Sequence, residues 1–211
     1  VRVGMDARWD AKLSLQQIGR SSIRATHTVN QLLALARAEG GGHVMTLQAC
    51  DLAALTRDVV QDAIPRAMDK RIDLGYEGAQ LDDVNAMVMA NPTLIKELIR
   101  NLVDNALNYT PSTAEQPGIV TVRVIHELES QSVLLQVEDT GPGIPESERD
   151  LVMQPFYRVL GSNTDGSGLG LAIVQEIAQK HQAVLTIEDA HPGMLPVGAM
   201  FTLRFKLVKK S

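Results

Sequence analysis

Asn101, Asn105 and Asn108 stand at i, i+4 and i+7 of a segment whose apolar residues Leu94, Ile95, Leu98, Leu102 and Ala106 repeat with helical period. On one helix the three amides share a side. Asparagine is a mediocre helix former, so three in line within a helix ask for a reason. A solvated polar face is one. The other is chemical: a side-chain amide oxygen is a hard, neutral ligand, suited to Mg²⁺ already held by phosphate oxygens. The segment alone leaves both readings open.

A second constellation begins where an apolar strand delivers Asp139 to its end, followed by Thr140, Gly141, Pro142, Gly143, Ile144 and Pro145. A carboxylate there can accept a hydrogen bond from the exocyclic amine of adenine. Guanine presents a carbonyl at that place and would be repelled. Gly141 and Gly143 let backbone approach a flat base closely. An ordinary turn rich in Asp, Gly and Pro has the same composition. The third piece, Gly166, Ser167, Gly168, Leu169 and Gly170, runs straight into a helical segment at 172–180. Free N–H groups at a helix start suit an anion. It is neither a Walker A sequence nor a dinucleotide fingerprint, and by itself it is a weak signal. Between the last two pieces, residues 146–165 read as a lid, a length at which an irregular loop is usually functional. Phe156 is its expected apolar anchor and Arg158 a candidate phosphate contact, with a plain surface charge as the alternative.

The elements that must position these residues alternate in type. Residues 44–47 read as a short strand and 51–68 as an amphipathic helix capped by Asp51. Strands follow at 71–76 and 86–89. Asn91 caps a helix with Pro92 in its first turn, running to about Tyr109. Residues 119–127 and 133–138 form a hairpin-like pair, 168–180 a helix, and 184–187 with 200–207 closing strands. This is an α/β (α+β) two-layer sandwich, a mixed sheet with helices on one face. Before it, residues 10–39 carry a coiled-coil or bundle seam at Leu15, Ile18, Ser22, Ala25, Val29, Leu32 and Ala36, stopped by Gly40, Gly41 and Gly42. The expected division is a partial helical segment at 1–42 and the sandwich domain at 43–211.

Composition excludes other classes. A net charge of −5 does not suit a nucleic-acid grip, and no apolar run reaches the length of a membrane span. The single cysteine, Cys50, is expected as a small core residue. The fragment is expected to be cytoplasmic, without membrane contact of its own. The chain opens at Val1 without a methionine, which reads as a cut fragment; the anchor of a membrane-bound parent would be expected outside it.

In order and spacing these pieces resemble the catalytic, ATP-binding domain of sensor histidine kinases, within the wider group of gyrase-type and Hsp90-type ATPases. Asn101 to Asn105 match the N box, Asp139 to Gly143 the G1 box, Pro155-Phe156 the F box and Gly166 to Gly170 the G2 box. The resemblance covers nearly the whole chain, and residues 29–39 look like the second helix of the dimerisation domain. It implies a Bergerat-type fold with ATP and Mg²⁺ as cofactors. Asn105 is implied as the metal ligand, Asn101 as its aid near the phosphates, Asp139 as the adenine partner and Tyr109 as a neighbour of base or ribose. Asn108, Ile144, Phe156, Arg158, Ser167 and Leu169 complete the implied nucleotide site. Gly166, Gly168 and Gly170 are implied as hinges and amide donors.

The chain departs from the family pattern in three places. Asn108 stands where many relatives carry Lys or Arg. Ala199-Met200 follows Gly198 where hydroxyl residues are common. No phosphoacceptor box is present: His126-Glu127-Leu128 imitates its start but continues Glu-Ser-Gln, and His27, His43, His181 and His191 lack its context. The phosphorylated histidine is therefore expected before Val1. The resemblance implies a kinase passing the ATP γ-phosphoryl group to that histidine and on to a response-regulator receiver domain, in a homodimer joined by the helical segment. The alternative is a gyrase- or Hsp90-type hydrolysing module, which places a Glu one turn before its metal-binding Asn. With Asn105 as ligand that place holds Asn101, an amide that cannot act as a base; with Asn101 as ligand it holds Glu97. A non-enzymatic dimerisation module with a decayed site is a third reading.

Overall fold

In the computed structural model, which describes residues 45–78, 86–159 and 167–208, two helices begin where capping residues place them. The Asp51 carboxylate accepts from Ala53 N at 2.9 Å and Ala54 N at 3.1 Å, opening α1 (Leu52–Asp69). The Asn91 amide does the same for Thr93 and Leu94, with Pro92 at the first position of α2 (Pro92–Tyr109). α3 (Gly170–Lys180) follows the lid. The bundle helix expected at 10–39, the division at residue 42, His27, His43 and Gly166 lie outside the described residues.

Two sheets are present among the described residues. β1 (Gln48–Asp51) pairs antiparallel with β3 (Met87–Ala90). The larger sheet has the order β2-β4-β5-β7-β6, from β2 (Ile72–Gly78), β4 (Gly118–Glu127), β5 (Ser132–Asp139), β6 (Val184–Asp189) and β7 (Ala199–Lys206). β2 runs parallel to β4, and the other pairs are antiparallel, so the sheet is mixed as expected. The first strand starts later than expected. Leu47 is 41% exposed, whereas Cys50 is 8% exposed and faces Val88, so pairing begins where side chains have a buried partner face. Cys50 is indeed a core residue, its thiol pushed up in pKa by burial.

The alternation of each strand divides the sheet into two faces. Val120, Val122, Val133, Leu135, Val137, Phe201 and Leu203 point inward and are buried. The outer face carries ion pairs instead: Arg123 with Glu77 and Glu138, and Arg204 with Glu127. All three helices cover the inner face. α2 lies against both α1 and α3, which is why its buried set includes Ile99, Val103 and Leu107 beyond the narrower stripe read from period alone. His181 ties the end of α3 to the start of α2. Its Nδ1 lies 2.7 Å from the Ile177 carbonyl, which can only accept, so Nδ1 carries the proton and Nε2 accepts from Asn91 N at 3.0 Å. Burial lowers its pKa, in keeping with that neutral form. No helix among the described residues is long and apolar enough to cross a membrane.

Candidate functional site

β5 alternates inward at Val133, Leu135 and Val137, and the same period turns Asp139 toward the helices while Glu138 faces out. Asp139 is 5% exposed. Its Oδ1 accepts from Gly141 N at 2.7 Å and from Ala199 N at 3.4 Å. Among the described residues no hydrogen bond reaches Oδ2, which leaves one carboxylate oxygen for a ligand. Burial pushes its pKa up to about 6, against the pull of the Gly141 and Ala199 amides.

Gly141 is required by close packing within the protein itself. A Cβ there would lie 2.7 Å from Asp139 Oδ1 and 2.9 Å from the Tyr109 carbonyl oxygen. The missing side chain thus lets the end of α2 abut the loop after β5, which brings Tyr109 beside Asp139's turn. The structure also shows a contact that sequence reasoning missed. Ala199 opens β7 next to Asp139, and its backbone N–H supplies the second bond to the carboxylate, a role independent of side-chain type.

The three asparagines of α2 differ in their surroundings. Asn101 is buried, and its Nδ2 donates to the Glu97 carbonyl at 2.9 Å and to Glu97 Oε1 at 3.4 Å. Asn105 is half-buried and its side chain makes no hydrogen bond among the described residues, so its amide is available to a metal or water. Asn108 is exposed and accepts from Lys70 Nζ at 2.6 Å. Lys70 is a neighbour that sequence spacing could not show, since it arrives from α1.

Among its described residues, the segment read as a lid contains two short 3₁₀ turns, Glu146–Glu148 and Leu151–Met153. Its anchor differs from expectation. Phe156 is 63% exposed, while Val152 is buried and Met153 packs against the core. At φ +67° the Phe156 side chain is turned outward, and its backbone is what holds: Phe156 N donates to the Gly168 carbonyl at 2.8 Å. Arg158 is exposed and Ser167 Oγ accepts from Leu169 N at 3.2 Å. The Leu169 side chain is wholly buried, so only its backbone can meet a ligand. Gly170 begins α3. Behind the loop, Ile144 packs against the core and Arg149 donates to the Ile144 carbonyl at 3.2 Å and to Asp189 Oδ1 at 2.6 Å. Arg149, Asp189 and Ile144 also line a cavity of about 380 Å³.

An oriented carboxylate with one open oxygen, a line of amides and a glycine-bearing helix start fit a purine nucleotide. The sequence model of the family described as histidine kinase-, DNA gyrase B-, and HSP90-like ATPase matches residues 90–209. The chain is similar to the sensor protein kinase PmrB of Pseudomonas aeruginosa, 36% identical over 79% of this chain and 33% of the relative. It is also similar to the histidine-protein kinase/phosphatase MprB of Mycolicibacterium smegmatis, 35% identical over 81% of this chain and 32% of the relative. The chain therefore spans about a third of the length of these curated relatives. Among solved structures, the mycobacterial sensor histidine kinase MprB superposes with a TM-score of 0.66 at 26% identity, covering 76% of this chain and all of that one. The catalytic domain of histidine kinase ThkA gives 0.64 at 25% identity, over 78% of this chain and all of the other. With this fold, these boxes in order and a family match across more than half its length, the chain belongs to the histidine kinase-, gyrase B- and HSP90-like ATPases, as an ATP-binding catalytic domain of the sensor histidine kinase kind.

Proposed function

We propose that this domain binds Mg²⁺-ATP and presents the γ-phosphoryl group to a histidine of the kinase's dimerisation helices, for relay to a response regulator. The observation that carries the reading is Asp139: buried, fixed through Oδ1, and with Oδ2 turned to no protein donor among the described residues. Such an oxygen accepts from the exocyclic amine of adenine and repels the carbonyl of guanine. Asn105 would hold the metal, with Asn101 beside it, and bound Mg²⁺ supplies neutralisation of charge on the phosphate oxygens. The chain's own work is positioning. The Asp139 turn orients the base, the α2 amides face the phosphates, and the lid excludes water. Glu97, the residue a hydrolysing module would use, is occupied by Arg100 at 3.0 Å and by the Asn101 amide. The parent protein is read as a homodimer anchored in a membrane, with this domain on its cytoplasmic side.

Calorimetric titration of Mg²⁺-ATP and Mg²⁺-GTP into the chain and into Asp139→Asn tests the site. ATP-selective binding that disappears in the variant is expected. Equal binding of GTP, or ATP binding indifferent to Asp139, would overturn the assignment.

A further inference from the structure

Lys70 closes α1 with its ammonium against the end of α2 and not against a carboxylate. Nζ donates to the Leu107 carbonyl at 3.0 Å and to Asn108 Oδ1 at 2.6 Å. Asp104, one turn back on α2, is taken by Arg66, and Lys70 makes no ion pair among the described residues. Its charge is therefore not cancelled by a contacting acid.

Counting donors shows what this arrangement offers. An ammonium has three N–H donors and no acceptor, so the oxygen of Asn108 must be the atom that faces it. One ammonium N–H remains, and so do both N–H groups of Asn108, which have no partner among the described residues. Asn108 is exposed and follows Asn105 by three positions, on the same side of the helix. A positive charge beside three open donors complements the anionic phosphate oxygens better than any other part of a nucleotide.

We propose that Lys70 and Asn108 form a polyphosphate-binding pair beside Asn105, the lysine supplying the charge and holding the amide oxygen so that both amide N–H groups stay open to a ligand. The inference rests on the nucleotide reading of the α2 face given above. It also gives a reason for an ammonium placed on an amide oxygen while Asp104, the nearby acid of α2, is taken by Arg66. The competing role is a cap on the last carbonyls of α2, which any lysine at a helix end performs.

The two roles separate in Lys70→Gln, which keeps N–H donors for Leu107 and Asn108 but removes the charge. Mg²⁺-ATP and adenosine are titrated into the full 211-residue chain, wild type and variant. A loss of about tenfold for Mg²⁺-ATP is expected, the size of one hydrogen bond to a charged group. Adenosine affinity stays within about twofold, since its base and ribose bind elsewhere in the site. Lys70→Arg, which keeps the charge, retains most of the ATP affinity. ATP affinity unchanged in Lys70→Gln would reduce Lys70 to a helix cap and overturn the pair, and so would an equal loss for both ligands. Wild-type chain that binds neither ligand would instead remove the nucleotide site, a result distinct from a binding-competent wild type with an inert Lys70→Gln.

Discussion

Phe156 and Gly168 are joined backbone to backbone across the lid, Phe156 N donating to the Gly168 carbonyl at 2.8 Å, and Gly168 sits at φ +73° with its Cα face against Phe156. A Cβ at Gly168 would lie 2.7 Å from the Phe156 carbonyl carbon and Cα, both backbone atoms that cannot swing aside. Gly168→Ala therefore has to open the clamp. The left-handed conformation alone costs a non-glycine residue about 1–2 kcal/mol. The expected result is a lower Tm with Mg²⁺-ATP affinity reduced about tenfold or more and adenosine affinity reduced less. Unchanged ATP titration would show that the clamp does not shape the phosphate end of the site.

Asp139 carries a stability cost from its burial. Its folded-state pKa of about 6 lies above the ordinary 3.8, so the native state binds a proton more readily than the unfolded chain. Stability consequently falls as pH rises from about 4 to about 6 and is level above that. Asp139→Asn removes the penalty and is expected to be more stable than wild type at pH 7 by about 1–3 kcal/mol while losing adenine binding. Urea unfolding at pH 7 and pH 4.5 checks this: the gap between the two proteins should close at the lower pH.

The same titration reaches ligand binding. Adenine's amine needs the ionised carboxylate, so adenosine affinity should weaken below about pH 6, approaching tenfold per pH unit as one proton competes. Adenosine has no phosphates to titrate in this window, which keeps the slope attributable to Asp139. A flat profile between pH 5 and 7 would mean that the base does not meet this carboxylate.

The Asn105 side chain makes no hydrogen bond among the described residues although it is half-buried on α2, so its replacement should cost the fold little. Asn105→Ala is expected to keep its Tm within a few degrees and to keep ATP affinity in EDTA. The gain in affinity that wild type shows on adding Mg²⁺ should vanish. A variant that retains the full Mg²⁺ increment would move the metal ligand elsewhere on α2.

Arg149 straps the loop after Asp139 to the end of β6 through Asp189, and also holds the Ile144 carbonyl. Both partners are partly exposed, so the ion pair itself is worth about 0.2–1 kcal/mol. Arg149→Ala should lower stability by no more than that, yet weaken adenosine about threefold by loosening the turn next to the base. Equal affinity in the variant would mark Arg149 as a surface strut without influence on the site.

Much of the site was readable from local pattern because its signals act within a turn or two. Caps at Asp51 and Asn91, the helix beginning at Pro92, the amide line Asn101, Asn105 and Asn108, and the period-two delivery of Asp139 all depend on residues close in sequence. The order of the boxes then sufficed for the family. The first strand was misplaced by a few residues because its start depends on β3, which is remote in sequence. Phe156 was not the apolar anchor expected, because at its positive φ, beside the bond to Gly168, the side chain is turned outward.

What the sequence by itself determined, then, is which chemistry-bearing residues exist and which share a helix side or strand end, since helical and extended periods are properties of the chain alone. Tertiary structure decided the pairings that give them character. It set β2 parallel beside β4, brought the Ala199 amide to Asp139, and laid Lys70 of α1 on Asn108 of α2. These contacts join residues remote in the chain, and they form only because burying the inner sheet face under three helices fixes where each element must lie.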